Sequence, residues 1–193
     1  MLSISVMSCM EPLTPFAIVT AVVLAAVIVI DWKGCPFQID KEYLSLKVLG
    51  VIPAVMFMFI ILLNGTKVSG AIGVVYHLII LAIIARLTAP SWAKASGYGW
   101  IALDVACGIM TLCNVPDDIA FPVRLGGHVL CGIWITVVCM FCRDRLLKYL
   151  GFFIASWLAV FSFFGGVLDM SLLAVPGVLV VVWLALLGWR YEI

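Results

Sequence analysis

The chain has 193 residues, 66% of them hydrophobic and only 11% charged, with a formal net charge of +1. An ordinary soluble domain is about half apolar and a quarter charged, so apolar surface on this scale needs lipid to solvate it. The near-neutral charge and the lack of a basic tail argue against a nucleic-acid partner.

A helix needs roughly 20 residues to cross about 30 Å of hydrocarbon. Seven stretches meet that length, at about 13–30, 47–64, 70–87, 98–115, 120–141, 149–168 and 171–189. They predict an all-α, polytopic helical bundle that forms one integral membrane domain over residues 1–193, with no room for a soluble domain. The first stretch has no lysine or arginine before it and ends at Asp31-Trp32 rather than at a small-residue cleavage site. Those flanks predict a true first helix, not a signal peptide. If it lies at the periphery instead, six spanning helices remain.

Between the first two stretches runs the longest loop, Asp31 to Leu46, in which Trp32, Phe37 and Tyr43 stand among charges. That mix suits a short interfacial helix or a docking surface for a partner, with these three aromatics as its contacts. The turns on the other side, at residues 64–70, 114–118 and 165–169, are short and rich in Gly, Asn, Pro and Asp. If the segments alternate, Lys33, Lys41, Lys47, Arg86, Lys94, Arg143, Arg145, Lys148 and Arg190 share one face, and only Lys67 and Arg124 fall on the other. The positive-inside rule puts the basic face in the cytoplasm. The expectation is a multi-pass protein of the plasma (inner) membrane, N-terminus outside and C-terminus inside. Trp32, Trp92, Trp100 and Trp189 are expected as anchors at the cytoplasmic boundary.

Leu49-Gly50, Tyr98-Gly99 and Leu150-Gly151 each open a stretch about 50 residues apart, which suggests three helical hairpins after a first helix. In architecture alone this layout resembles the three-hairpin arrangement of the HdeD-type acid-resistance membrane proteins, and no site residue is carried over from it. A seven-helix sugar carrier of the SWEET type would want Pro-Gln pairs, and a microbial rhodopsin a lysine in its last helix; the sequence has neither.

Four polar residues stand out inside the apolar stretches. Asp104 carries the largest cost, since a carboxylate at membrane depth costs at least about 2.5 kcal/mol and should face the bundle interior with a partner. Cys107, Gly108 and Thr111 continue its face. His77 lies mid-stretch behind Gly70 and Gly73, where small residues would admit a neighbouring helix. The segments that carry His77 and Asp104 are consecutive, so these two are expected to pair as a proton or cation site. Arg124 and His128, four residues apart, share a helix face. They are expected at the outer mouth of the same pathway, with Arg124 free to pair with Asp117 or Asp118.

Cys139 and Cys142 form a C-x-x-C with no second pair, and the other cysteines are scattered, so all are read as packing residues. Two histidines without a third nearby ligand make no metal site, and no cofactor is expected. No hydrolase, phosphate-loop or dinucleotide motif occurs, so the chain is not expected to be an enzyme. Small residues at four-residue spacing, Ala17, Ala21, Ala25 and Gly151, Ala155, Ala159, suggest close packing within the chain or a homo-oligomer or partner membrane subunits. The leading expectation is translocation of an ion or small polar solute through Asp104, His77, Arg124 and His128. The alternative is a non-catalytic structural or sensory subunit of a membrane complex.

Overall fold

The computed structural model describes residues 41–63, 66–87 and 89–190, the side chains of residues 41–46 and 170 excepted. The first predicted helix, 13–30, lies outside the described residues, and with it Trp32, Phe37 and the stripe Ala17, Ala21, Ala25. Among the described residues the structure is all-helical: α1 Lys41–Leu62, α2 Lys67–Arg86, α3 Ser91–Leu112, α4 Asp117–Phe141, α5 Arg145–Phe164, a 3₁₀ turn at Met170–Leu173, and α6 Ala174–Arg190. Five segments are long and apolar enough to cross a membrane: α2, α3, α4, α5 and the stretch Ser171–Arg190. Within α1 the apolar part is the shorter Lys47–Leu62. These apolar helices suit a multi-pass integral membrane protein.

Several helices start earlier than the run of apolar residues suggests. α1 begins at Lys41, so Tyr43 stands in its first turns and the end of the predicted loop is helical. α3 begins at Ser91, directly after Pro90, seven residues before the predicted start. Its first turns are amphipathic rather than apolar, and Lys94 extends back to donate from Nζ to the Ala85 carbonyl, 3.0 Å away. A helix can thus project beyond the hydrocarbon while its lysine satisfies a neighbouring helix end.

Polar caps start two of the helices. Thr66 Oγ1 accepts from the Ser69 amide at 3.2 Å and starts α2, and Asp144 Oδ1 accepts from the Leu147 amide at 3.0 Å and starts α5. Between α3 and α4 the chain turns through Asn114, whose φ of 58° is left-handed. The Val115 amide donates to the Met110 carbonyl at 2.9 Å and the Asn114 amide to Thr111 at 3.1 Å, which together close α3 with a Schellman motif.

Each helix packs along its chain neighbours, and α6 returns to lie against α1, so the six close into a ring. α6 packs more extensively on α1 than on α5, so the last two helices are not a self-sufficient hairpin. The α1–α6 seam is a backbone contact. A Cβ on Gly50 would sit 2.9 Å from the Leu184 carbonyl oxygen and 3.2 Å from the Gly188 Cα. Residues 180–188 of α6 are buried on all sides, with Trp183 wholly enclosed. On α5, the small residues Gly151 and Ala155 are used within the chain. A Cβ on Gly151 would overlap Cys139 Sγ of α4, and Ala155 presents its carbonyl to Gly132.

Candidate polar site between α2, α3 and α4

Asp104 lies thirteen residues from the start of α3 and eight from its end, hence about 20 Å from one terminus and about 12 Å from the other. The carboxylate is therefore nearer the α3–α4 turn than the basic end. It is 4% exposed. Three helices deliver partners to it. From its own helix, one turn earlier, Trp100 donates its indole N–H to Oδ2. From α2, His77 Nε2 stands 3.2 Å from the same Oδ2. From α4, Arg124 Nε stands 3.9 Å from Oδ1, too far for a hydrogen bond, and Oδ1 has no other protein partner.

The helix beneath it fixes the His77 ring. Nδ1 lies 2.7 Å from the Gly73 carbonyl, one turn back. A carbonyl can only accept, so Nδ1 carries a hydrogen and Nε2 is the nitrogen left to face the carboxylate. Here Gly73 differs from its expected role. A Cβ there would meet nothing within 4 Å, so the residue contributes its carbonyl rather than a close helix approach. The α2–α3 approach falls at Gly70, where a Cβ would be 3.3 Å from a Leu112 methyl, and at Gly108, where a Cβ would meet a Val74 methyl at 2.7 Å.

On α4, Gly127 lets α3 come close: a Cβ there would be 3.3 Å from Leu103 Cβ, a tight approach, and 3.6 Å from Asp104 Oδ1, an ordinary contact. Arg124 and His128 flank this glycine on the same helix. Arg124 turns inward to Asp104, where the sequence had left open a pairing with Asp117 or Asp118. His128 is within electrostatic reach of the carboxylate, and its buried Nδ1 has no protein partner. Of the four polar residues singled out from the sequence, His77 and Arg124 thus come within 4 Å of Asp104, and His128 stands within electrostatic reach. Tyr43, by contrast, is remote from this site in sequence and stands near the start of α1.

Asp104 itself is buried, and on the side of the α3–α4 turn only Arg124 links it to a cleft. Thr111, Asp117, Asp118, Ala120, Phe121, Pro122 and Arg124 line a cleft of about 480 Å³ at the α3–α4 turn. The Arg124 side chain, 42% exposed, belongs both to that cleft and to Asp104. Pro122 has no N–H to give the Asp118 carbonyl, so a backbone acceptor is also released there. Toward the basic end, aromatic rings fill the core. Trp100 stacks on Trp134 at 5.8 Å, Trp134 meets Trp183 edge-on at 5.7 Å, and the Trp183 indole donates to the Leu147 carbonyl at 3.0 Å.

Trp100 is the residue the sequence misplaced. Expected as an interfacial anchor, it is 3% exposed in the core, because α3 starts at Ser91 and carries residue 100 a further turn and more into the bundle. Trp92, 59% exposed in the first turn of α3, is placed as an anchor should be. The i, i+4 spacing of Trp100 and Asp104 was the available signal for their bond. Among the described residues, no three His, Cys, Asp or Glu side chains are grouped to hold a metal ion. Compared with known proteins, the chain matches no family model, no curated protein and no solved structure.

Proposed function

We propose that the protein translocates an ion or small polar solute, with Asp104 at the centre of the pathway, His77 beside it, and Arg124 and His128 toward the mouth. The observation that carries this reading is the buried Asp104 carboxylate, served from three helices yet with one oxygen unbonded and turned to Arg124, which also lines an open cleft. A carboxylate kept only for structure would have both oxygens bonded, because an unmet acceptor at this depth is costly. The charge asymmetry supports an orientation with the α3–α4 turn outside and the basic end in the cytoplasm. In that orientation the cleft is the outer mouth and the tryptophan stack the inner closure.

Vesicles reconstituted with the full chain test the reading. The probes are sodium, potassium, chloride and protons as ions, and glycerol and urea by osmotic swelling. At least one should cross faster than in protein-free vesicles, and Asp104→Asn should stop it while the variant keeps its helix content and elution volume. If every probe crosses no faster than in protein-free vesicles, or if Asp104→Asn leaves the flux intact, transport through this site is wrong. A structural or sensory subunit then takes its place.

A further inference from the structure

The contact between His77 and Asp104 has a proton count. Nδ1 is committed as a donor to the Gly73 carbonyl at 2.7 Å. The 3.2 Å approach of Nε2 to Oδ2 would set a lone pair against an anionic oxygen if neither atom held a hydrogen. One proton must lie between them, whether as imidazolium and carboxylate or as neutral imidazole and carboxylic acid. The Trp100 indole N–H is a second donor to Oδ2, which fixes that oxygen in place. Other titratable or charged groups face the pair from every helix around it: Tyr76 on α2, Cys107 on α3, and Arg124, His128 and Cys131 on α4.

We propose, building on the transport reading above, that the ion bound and passed at this site is a proton, held between His77 Nε2 and Asp104 Oδ2 and exchanged with water in the α3–α4 cleft. In the exchange the N–H···O bridge opens and the proton leaves to a water on the Arg124 side. The imidazole then keeps only its Nδ1 hydrogen, and the carboxylate keeps its charge next to the guanidinium. The bare lone pair of Nε2 and the anionic Oδ2 repel each other, so loss of the proton loosens the α2–α3 contact at this level. Gain of a proton restores it. Proton occupancy is thereby tied to how closely two helices approach beside the Trp100–Trp134 stack that shuts the basic end.

The test uses the full-length protein in phosphatidylcholine–phosphatidylglycerol vesicles that enclose pyranine, with a potassium gradient and valinomycin to impose a potential. Wild-type vesicles should acidify faster than empty ones, and the excess rate should vanish in Asp104→Asn and in His77→Gln. Nitrogen-15 spectra of histidine-labelled protein in nanodiscs give a readout independent of flux. The chain has two histidines, so a His128→Gln variant assigns His77. Nδ1 of His77 should stay protonated across the titration while Nε2 changes state, and Asp104→Asn should displace that change. If sodium, chloride or a neutral solute crosses in an Asp104-dependent manner while pyranine stays silent, the proton assignment fails and the transport reading stands. If no probe crosses at all, both fail. A His77 ring with a bare Nδ1 would overturn the proton bridge whatever the fluxes show.

Discussion

The two basic side chains beside Asp104 should differ in how strongly they couple to it, and the difference can be worked from the geometry. Two unit charges 3.9 Å apart, as for Arg124 Nε and Oδ1, attract by about 4 kcal/mol at an effective dielectric of 20. That figure is gross. The Arg124 side chain is 42% exposed and makes no hydrogen bond to the carboxylate, so solvent screening reduces the net coupling to about 1 kcal/mol or less. His77 is closer, at 3.2 Å, and its side chain is 19% exposed; the proposed proton bridge would lie on that line of contact. A hydrogen bond to a charged group contributes about 1.5–3 kcal/mol. Double-mutant cycles with Asp104→Asn against His77→Gln, and against Arg124→Gln, should therefore give a coupling of about 2 kcal/mol for the first pair. The second should give at most about half of that. Thermal unfolding in nanodiscs reads both, since 1 kcal/mol shifts Tm by about 2–4 °C in a chain of this size. A larger coupling to Arg124 than to His77 would refute the reasoning, because it would make the guanidinium the carboxylate's counter-charge and leave the imidazole a bystander.

Three further outcomes follow from the packing and the turns. Gly151→Ala places a Cβ 2.1 Å from Cys139 Sγ and 2.9 Å from Trp183 Nε1, so it should destabilise the protein by about 1–3 kcal/mol. Cys139→Ala in the same chain should recover most of that loss in thermal unfolding. At Asn114, φ is 58°, so Asn114→Gly should be close to neutral and Asn114→Val should cost about 1–2 kcal/mol, read by the same melts. Asp169 Oδ1 accepts from the Ser171 amide at 2.8 Å, and that bond lowers the carboxyl pKa below its ordinary value. A depressed folded-state pKa means that the cap's stabilisation is full above the unfolded-state value and is lost as pH falls through the folded one. Hydrogen exchange at the Ser171 amide, corrected for its intrinsic pH dependence, should quicken across that acid window, and Asp169→Ala should abolish the step.

Much of the site was readable from the sequence, because membrane depth makes polar residues rare and expensive. Asp104, His77, Arg124 and His128 stand out in their apolar stretches, and helical spacing puts Arg124 and His128 on one face. The facing of consecutive segments supplied the rest of the expectation, and α2, α3 and α4 do meet at Asp104. What the residues could not reveal was which atoms do the bonding. Gly73 reads as a small residue for helix approach, yet its carbonyl orients the His77 ring, and a backbone acceptor leaves no mark in the sequence. The small residues on α5 read equally well as an oligomer face or an internal seam. Cys139 of α4 against Gly151, and Gly132 against the Ala155 carbonyl, place that stripe inside the chain.

Trp100 shows how one misjudged boundary moves a functional group. Apolarity defines the part of a helix that lipid can cover, but hydrogen bonding and capping define the helix itself. In α3 these differ by the seven residues from Ser91 to Gly97, which include Lys94. Those residues look like a polar connection when judged by hydropathy. They are helical because the Pro90 carbonyl accepts from the Ala93 and Lys94 amides, both at 3.0 Å, and Lys94 finds the Ala85 carbonyl at the end of α2. Counted from Gly97, Trp100 would sit at the membrane surface, where tryptophan is ordinary. Counted from Ser91, it lies about 14 Å along the helix, with its N–H toward Asp104 and its ring on Trp134. The same shift takes Asp104 away from the basic end and toward the α3–α4 turn, where Arg124 stands between it and the cleft.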